Sequence, residues 1–298
     1  MTKSTRADSM MIRGHRFEWG LRTYVAAIIN ATPDSFSGDG VGGDHARMAQ
    51  LANAATDAGA DIIDVGAEST RPGARPVPVD EELARLIPAV RTVRGETDLP
   101  ISVDTYKARV AAAALDAGAD FVNDVWGLRR DAEMAGVVAQ AGCAVVITHN
   151  RRARPRIGSI GGHYPNSEYD DIVRDVIGDL TGQIDFATAS GIDMDRIIVD
   201  PGIGFGKSPP QNLELISRLA ELGELGLPMM IGLSRKSFIG FALNDGKADR
   251  TSGTAAATAL AILAGVDIIR VHDLRAMVAA ARVADELARG NSQRAVEE

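Results

Sequence analysis

Asp57-Ala58-Gly59-Ala60-Asp61-Ile62-Ile63 sets the register of the whole chain. The phrase returns as Asp116-Ala117-Gly118-Ala119-Asp120-Phe121-Val122 and, altered, as Leu263-Ala264-Gly265-Val266-Asp267-Ile268-Ile269. Each copy is a helix end, a glycine suited to the position after it, and the start of a strand. Apolar, strand-like runs fall at 24–30, 61–66, 100–105, 121–125, 144–150, 197–202, 229–234 and 268–273. Helical patterns lie between and after them, at 46–58, 79–94, 107–117, 131–140, 169–190, 211–222, 254–263 and 275–288. Eight such alternations predict a (β/α)8 TIM barrel with parallel strands and right-handed crossovers.

One barrel domain is expected over 17–288, after a flexible leader at 1–16 and before a polar tail at 289–298. Residues 16–19 and 23–25 read as a hairpin closing the bottom of the barrel. The 298 residues are 45% hydrophobic and 24% charged, enough for a large globular core. Only 4% are aromatic, and the aliphatic excess suits strands buried on both faces.

The net charge of −8, with no basic tract, speaks against a nucleic-acid partner. Cys143 is the only cysteine, which excludes an intrachain disulfide or a cysteine metal cluster. It begins an apolar run and reads as a buried, inert thiol in a cytoplasmic protein. No apolar segment follows the N-terminal cations, so no signal peptide is expected. The longest apolar stretch, 254–266, is too short to span a membrane.

The strand ends carry polar groups that a plain barrel does not need: Asn30, Asp64 with Glu68, Asp104, Asn123 with Asp124, His149 with Asn150, Asp200, Ser234 with Lys236, and Arg270 with His272 and Asp273. Any one of them has an ordinary role as a helix cap or loop tie. Together they describe a mouth of carboxylates, amides and cations on the face where barrels place chemistry. Asp104, Asn123 and Asp200 suit the edge of a flat heterocycle rich in N–H donors. Arg270, His272 and Asn30 offer donors for phosphate oxygens. Phe36 and Phe205 lie on loops, where they serve as stacking surfaces or as core filler.

Two phosphate motifs are set aside. Gly204-Phe205-Gly206-Lys207-Ser208 ends like a P-loop, but its first glycine would fall at Pro201. The stretch 38–43 satisfies G-x-G-x-x-G, yet it begins eight residues past the strand instead of turning directly from it. It reads as a lid. The five histidines show no metal-ligand spacing.

These motifs resemble those of the dihydropteroate synthases, the folate-pathway enzymes that sulfonamides inhibit. The resemblance runs from about Phe17 to Leu287. It rests on Asn30-Ala31-Thr32-Pro33-Asp34-Ser35-Phe36, Asp64-Val65-Gly66-Ala67-Glu68-Ser69-Thr70-Arg71-Pro72-Gly73, Asp104-Thr105-Tyr106-Lys107 and Asp200-Pro201-Gly202-Ile203-Gly204-Phe205-Gly206-Lys207. Asn123-Asp124, His149-Asn150-Arg151, Ser234-Arg235-Lys236-Ser237 and Arg270-Val271-His272-Asp273 complete the set.

The resemblance implies condensation of 6-hydroxymethyl-7,8-dihydropterin pyrophosphate with p-aminobenzoate. It assigns the pterin to Asp104, Asn123, Asp200, Phe205, Gly232 and Lys236, with Asp104, Asp200, Lys236 and Arg270 as the catalytic group. It assigns pyrophosphate to Asn30, Arg270 and His272, with Mg²⁺ near Asn30 and the loop residue Asp34. It assigns p-aminobenzoate to Phe36, Thr70, Arg71, Pro72, Ser234 and Phe205. It further implies a homodimer through the late helices. Thr70-Arg71-Pro72-Gly73 carries no insertion of the resistant kind, so sulfonamide binding is expected.

Thr148 stands where the family usually has Met, Ala67 where Gly is common, and 151–164 is longer and more basic than the family pattern. On the residues, three other readings stay open: a pterin-binding methyltransferase barrel, a non-catalytic pterin-binding paralogue, and a barrel of unrelated chemistry. By strand alternation Arg235 points away from the pocket while Ser234 and Lys236 face it.

Overall fold

The repeated phrase is a joint that serves two strands at once. In the computed structural model, which describes residues 7–32, 44–70, 74–151 and 168–290, its glycines Gly59, Gly118 and Gly265 have φ of +86°, +114° and +95°. The following N–H groups close the helix ends, Ala60 onto Ala55, Ala119 onto Ala114 and Val266 onto Ala261, at 3.0–3.2 Å. The aspartate that follows does not stay with its own strand. Asp61 accepts the N–H of Val25, Asp120 that of Ile101, and Asp267 that of Met229, at 2.8–2.9 Å. Each lies within one residue of the start of a neighbouring strand, so one short phrase ends a helix and sets the register of an adjacent strand pair.

The elements follow in the order β1 (Ser9–Ile12), β2 (His15–Glu18), β3 (Tyr24–Asn30), α1 (His45–Asp57), β4 (Ile62–Gly66), α2 (Val79–Glu96), β5 (Ile101–Asp104), α3 (Ala108–Asp116), β6 (Phe121–Asp124), α4 (Met134–Ala141) and β7 (Ala144–Thr148). Then come α5 (Ile172–Ala189), β8 (Ile197–Asp200), α6 (Pro209–Ser217), β9 (Met230–Ile231), α7 (Ser237–Ala242), α8 (Thr251–Leu263), β10 (Ile268–Val271) and α9 (Leu274–Arg289). Strands β3 to β10 form one parallel sheet in the spatial order β8-β7-β6-β5-β4-β3-β10-β9. Val199 pairs with Met229 and donates to the carbonyl of Pro228 at 2.9 Å, joining the two edges. This is the expected (β/α)8 barrel.

The main core lies between strands and helices and is aliphatic, with Ile63, Val65, Val103, Val122 and Ile147 fully buried. A second core fills the lumen at the N-terminal ends of the strands, where Ile62, Phe121, Val146, Ile198 and Ile268 meet Met10, Ile12 and Phe17. Those last three belong to an antiparallel hairpin of β1 and β2. The hairpin closes the barrel floor as expected, but it lies earlier in the chain than the sequence reading placed it. Residues 9–16, assigned to the leader, supply one strand and the turn, and Tyr24 belongs to the barrel. Phe17, Trp19 and Tyr24 form an aromatic stack beneath, with Phe17 and Tyr24 ring centres 4.7 Å apart.

Helix α7 was not foreseen, and the stretch 211–222 resolves into α6 and a separate 3-10 segment, Leu219–Leu225. Cys143 is partly buried, and that burial pushes its thiol up to about 11, as befits an inert side chain.

Candidate active site

At the opposite end the strands open into a cavity of about 730 Å³. Its wall includes Asn30, Asp104, Asn123, Asp200, Gly232, Ser234, Lys236, Arg270 and His272, brought together from six strand ends. Thr70 and Phe205 line it from loops. Phe36, Asp34, Arg71 and Pro72 lie outside the described residues, as do the stretch 38–43 and residues 152–167.

The centre of the cavity wall is a cation held between two acids. Arg270, on β10, donates Nε–H to Asp64 Oδ2 at 2.6 Å and Nη2–H to Asp104 Oδ2 at 2.7 Å. Asp64 also accepts the Ser102 hydroxyl at 2.5 Å and the Asn123 amide at 3.3 Å. Strands β4, β5, β6 and β10 are thus tied by one network. Burial opposes the charge on Arg270, but Asp64 and Asp104 outweigh it and hold the guanidinium above its ordinary value. Burial pushes Asp104 up to about 7 against the pull of Arg270, with Asp64 adding to the rise. Asp104 therefore shifts between acceptor and donor near neutrality.

Asp200 ends β8 on the other side. Burial raises its pKa, chiefly against the pull of Lys236. Its carboxylate accepts the Gly202 N–H at 2.7 Å, and the turn this makes only glycine can follow. Gly202 has φ +68°, and a Cβ there would stand 1.8 Å from the His149 carbonyl oxygen. Lys236 Nζ donates to the Ile203 carbonyl and lies 4.6 Å from the centre of the Phe205 ring. The lysine, the ring and Asp200 make one wall. A Cβ on Gly232 would stand 3.9 Å from Lys236 Nζ, so its bareness keeps room on the cavity side.

The Ser234–Lys236 stretch departs in part from expectation: Ser234 and Lys236 line the cavity, but Arg235 lines it too. Strand β9 ends at Ile231, so strict alternation no longer applies. Arg235 takes a left-handed φ of +58°, which turns its side chain out of line with its neighbours. Its guanidinium clasps Asp273 at 2.9 and 2.5 Å. Ser234 Oγ accepts the His272 N–H at 3.2 Å and lies 3.0 Å from its Nδ1. Sequence reasoning gave these two residues to separate ligands, yet they touch.

Other strand-end groups do not belong to the cavity. His149 is fully buried behind it, with Nδ1 2.8 Å from Lys207 Nζ and Nε2 3.0 Å from Asp179. Lysine only donates, so Nδ1 accepts and Nε2–H donates, leaving the ring neutral. Burial and then Lys207 push its pKa down to about 3. Lys207 also holds the carbonyls of Gly202 and Phe205 at 2.9 and 3.3 Å. The P-loop-like lysine is thus a tie for the loop after β8, and Ser208 caps α6. Asp124 accepts the N–H groups of Trp126 and Leu128, both at 2.8 Å, and shapes a turn. Asn150 donates to the Val125 carbonyl at 2.8 Å, and Asp273 is taken by Arg235.

The sequence reading missed two features. Asp249, Arg250 and Thr251 line the cavity rim from the start of α8, and no motif marked them. Lys107, which ended a quoted motif without a role, lies between Glu68 and Glu82. Among the described residues, no group of three or more His, Cys, Asp or Glu could hold a metal ion.

Carboxylates, an amide, cations and a ring around one cavity suit a nitrogen heterocycle bearing an anionic tail. The comparisons with known proteins agree. Residues 26–272 match the family described as pterin binding enzyme. The chain is 41% identical over 281 residues to the dihydropteroate synthase of Clostridium beijerinckii, covering 94% of this chain and all of that one. The Xanthomonas albilineans dihydropteroate synthase, solved with 4-aminobenzoic acid, superposes with a TM-score of 0.82 at 39% identity over 94% of this chain and 98% of its own. The Yersinia pestis dihydropteroate synthase, solved as a sulfonamide drug complex, gives a TM-score of 0.85 at 34% identity with the same coverage.

Proposed function

This chain belongs to the dihydropteroate synthase family of pterin-binding enzymes, and from that premise we infer that it condenses 6-hydroxymethyl-7,8-dihydropterin pyrophosphate with p-aminobenzoate to give 7,8-dihydropteroate and pyrophosphate. The observation that carries the reading is the convergence of Asp104, Asn123, Asp200, Lys236 and Arg270 on one cavity. The carbon–oxygen bond at the pterin methylene breaks, and its electron pair leaves with pyrophosphate. The amine of p-aminobenzoate forms the new carbon–nitrogen bond and loses a proton to solvent. The methylene carbon gains positive charge, which the ring shares, and Asp104 and Asp200 stabilise that charge from its edge. The attacking amine is neutral at pH 7, so the reaction needs no dedicated base.

Asn123 reads the heterocycle edge and Phe205 with Lys236 covers its face. Arg270, His272 and Asn30 receive the pyrophosphate. Thr70 and Ser234 border the p-aminobenzoate site, with Phe36, Arg71 and Pro72 assigned by resemblance alone. For Mg²⁺, the single amide oxygen of Asn30 fits an ion that keeps its waters and takes its other ligands from phosphate. Asn30, with Asp34, would hold it, and its chemistry is to neutralise charge on the leaving group. The same site accounts for sulfonamide binding, since a sulfonamide shares the amine-bearing ring of p-aminobenzoate. Leu260, Leu263, Val283 and Leu287 on α8 and α9 are exposed, which supports the reading of a homodimer through these helices. Among the described residues no helix is long and apolar enough to cross a membrane, and we place the protein in the cytoplasm.

The test is pyrophosphate release with both substrates and Mg²⁺. Release that requires p-aminobenzoate and falls when a sulfonamide is added is the expected result. Pterin binding without release would leave a pterin-binding protein and remove the enzyme.

A further inference from the structure

Behind the cavity wall, Lys107 joins parts of the chain that are far apart in sequence. Its ammonium has three N–H donors, and three acceptors surround it: Glu68, the Val77 carbonyl at 2.6 Å, and Glu82 in the first turn of α2. Glu68 opens the segment after β4 and Val77 closes it, so one nitrogen clasps both of its ends. The two acids are fixed in turn. Tyr106 donates its hydroxyl to Glu68 at 3.0 Å and Thr105 donates to Glu82 at 2.7 Å. All three charged residues are buried. Yet Glu68, Ser69 and Thr70 line the cavity, so the outer face of this cluster is part of the ligand wall.

We propose that Lys107 is a positioning residue for the p-aminobenzoate side of the site: by holding Glu68 and Val77 on one nitrogen it fixes Thr70 against the cavity and keeps the Glu68 charge compensated. The proposal rests on the functional reading above. Without Lys107, Glu68 would present an unbalanced carboxylate to a substrate that is itself a carboxylate, and like charges repel. The hydrogen bonds of Lys107 go to Glu68, Val77 and Glu82 and not to the pterin groups Asp104, Asn123 and Asp200, so its loss bears on the p-aminobenzoate side first.

Steady-state pyrophosphate release on the full chain tests this with three variants. Lys107→Met is expected to raise the KM for p-aminobenzoate about tenfold or more, on the scale by which small displacements weaken positioned sites, with the KM for the pterin pyrophosphate within about threefold. Glu82→Gln loosens the same buried cluster but leaves Lys107 on Glu68 and Val77. It is expected to lower the unfolding midpoint with both KM values within about threefold of the unaltered protein. The double variant Lys107→Met with Glu82→Gln removes one charge of each sign. It keeps the net charge of the cluster and is expected to retain the p-aminobenzoate defect.

An unchanged p-aminobenzoate KM in both Lys107 variants would overturn the proposal. So would an equal rise for both substrates, an equal rise in Glu82→Gln, or a normal KM in the double variant. If the unaltered protein releases no pyrophosphate, the functional reading falls and takes the proposal with it; a working protein with unmoved KM values overturns the proposal alone.

Discussion

Two clusters at the same end of the barrel share one design, a cation between two carboxylates. Arg270 lies between Asp64 and Asp104, and Lys107 between Glu68 and Glu82. They differ in what faces them. Arg270 and Asp104 border the cavity, so a ligand can exchange with their mutual bonds. Lys107 is buried against Glu68, the Val77 carbonyl and Glu82, and its three donors are spent on the protein. The cation types match these tasks. A planar guanidinium presents several donors to more than one acid and to phosphate, while an ammonium is a compact point that gathers acceptors around it. The same charge pattern thus serves chemistry where it meets open space and geometry where it meets the chain.

The largest expected effect removes the cavity-facing cation. Arg270→Ala should lower turnover about 10²–10³-fold, the scale for losing one preorganised donor to developing charge. Its stability cost should stay below that of Lys107→Met, because water in the cavity can solvate Asp104. Parallel turnover and urea-unfolding curves would decide, and a larger stability loss for Arg270→Ala would erase the contrast.

A tenfold effect is expected from pH. Asp104, raised to about 7 by burial, gains its proton as pH falls through that value and loses its negative charge. Then kcat/KM for the pterin substrate should fall about tenfold per pH unit below 7, and Asp104→Asn should abolish that limb while lowering activity throughout. The sign for stability runs oppositely. A carboxyl raised in the folded state favours folding most below its unfolded value, and that contribution is lost as pH rises from about 4 to 7. A pH profile that persists in Asp104→Asn would show that another group carries it.

The smallest effect lies between neighbours. Lys236→Ala removes a group from the cavity, whereas Arg235→Lys only weakens a clasp on Asp273, so the latter should cost a few-fold in turnover and far less than the former. Side-by-side rates check the order, and a reversal would refute the placement of the Ser234–Lys236 turn.

Much of this was legible because barrels write themselves at their joints. The repeated Gly-Ala-Asp phrase exposed helix end and strand start together, and most strand boundaries needed trimming by only one or two residues, where polar ends leave the ladder. The N-terminal hairpin was less legible. Each of its strands has four residues and buries two or fewer of them, too little alternation to register. The cavity acids were visible as strand ends. His149 misled because its strand closes at Thr148, and the next residue is free to turn outward. Lys107 and Glu82 were invisible as a pair: 25 residues separate them, and alone each is an ordinary residue near a helix start.

The hairpin that fills the floor has a consequence for traffic. With Met10, Ile12 and Phe17 stoppering the lower end, the described residues leave the cavity open at the strand C-terminal end. Whatever rests against the strand-end acids therefore enters past the loop residues Thr70 and Phe205.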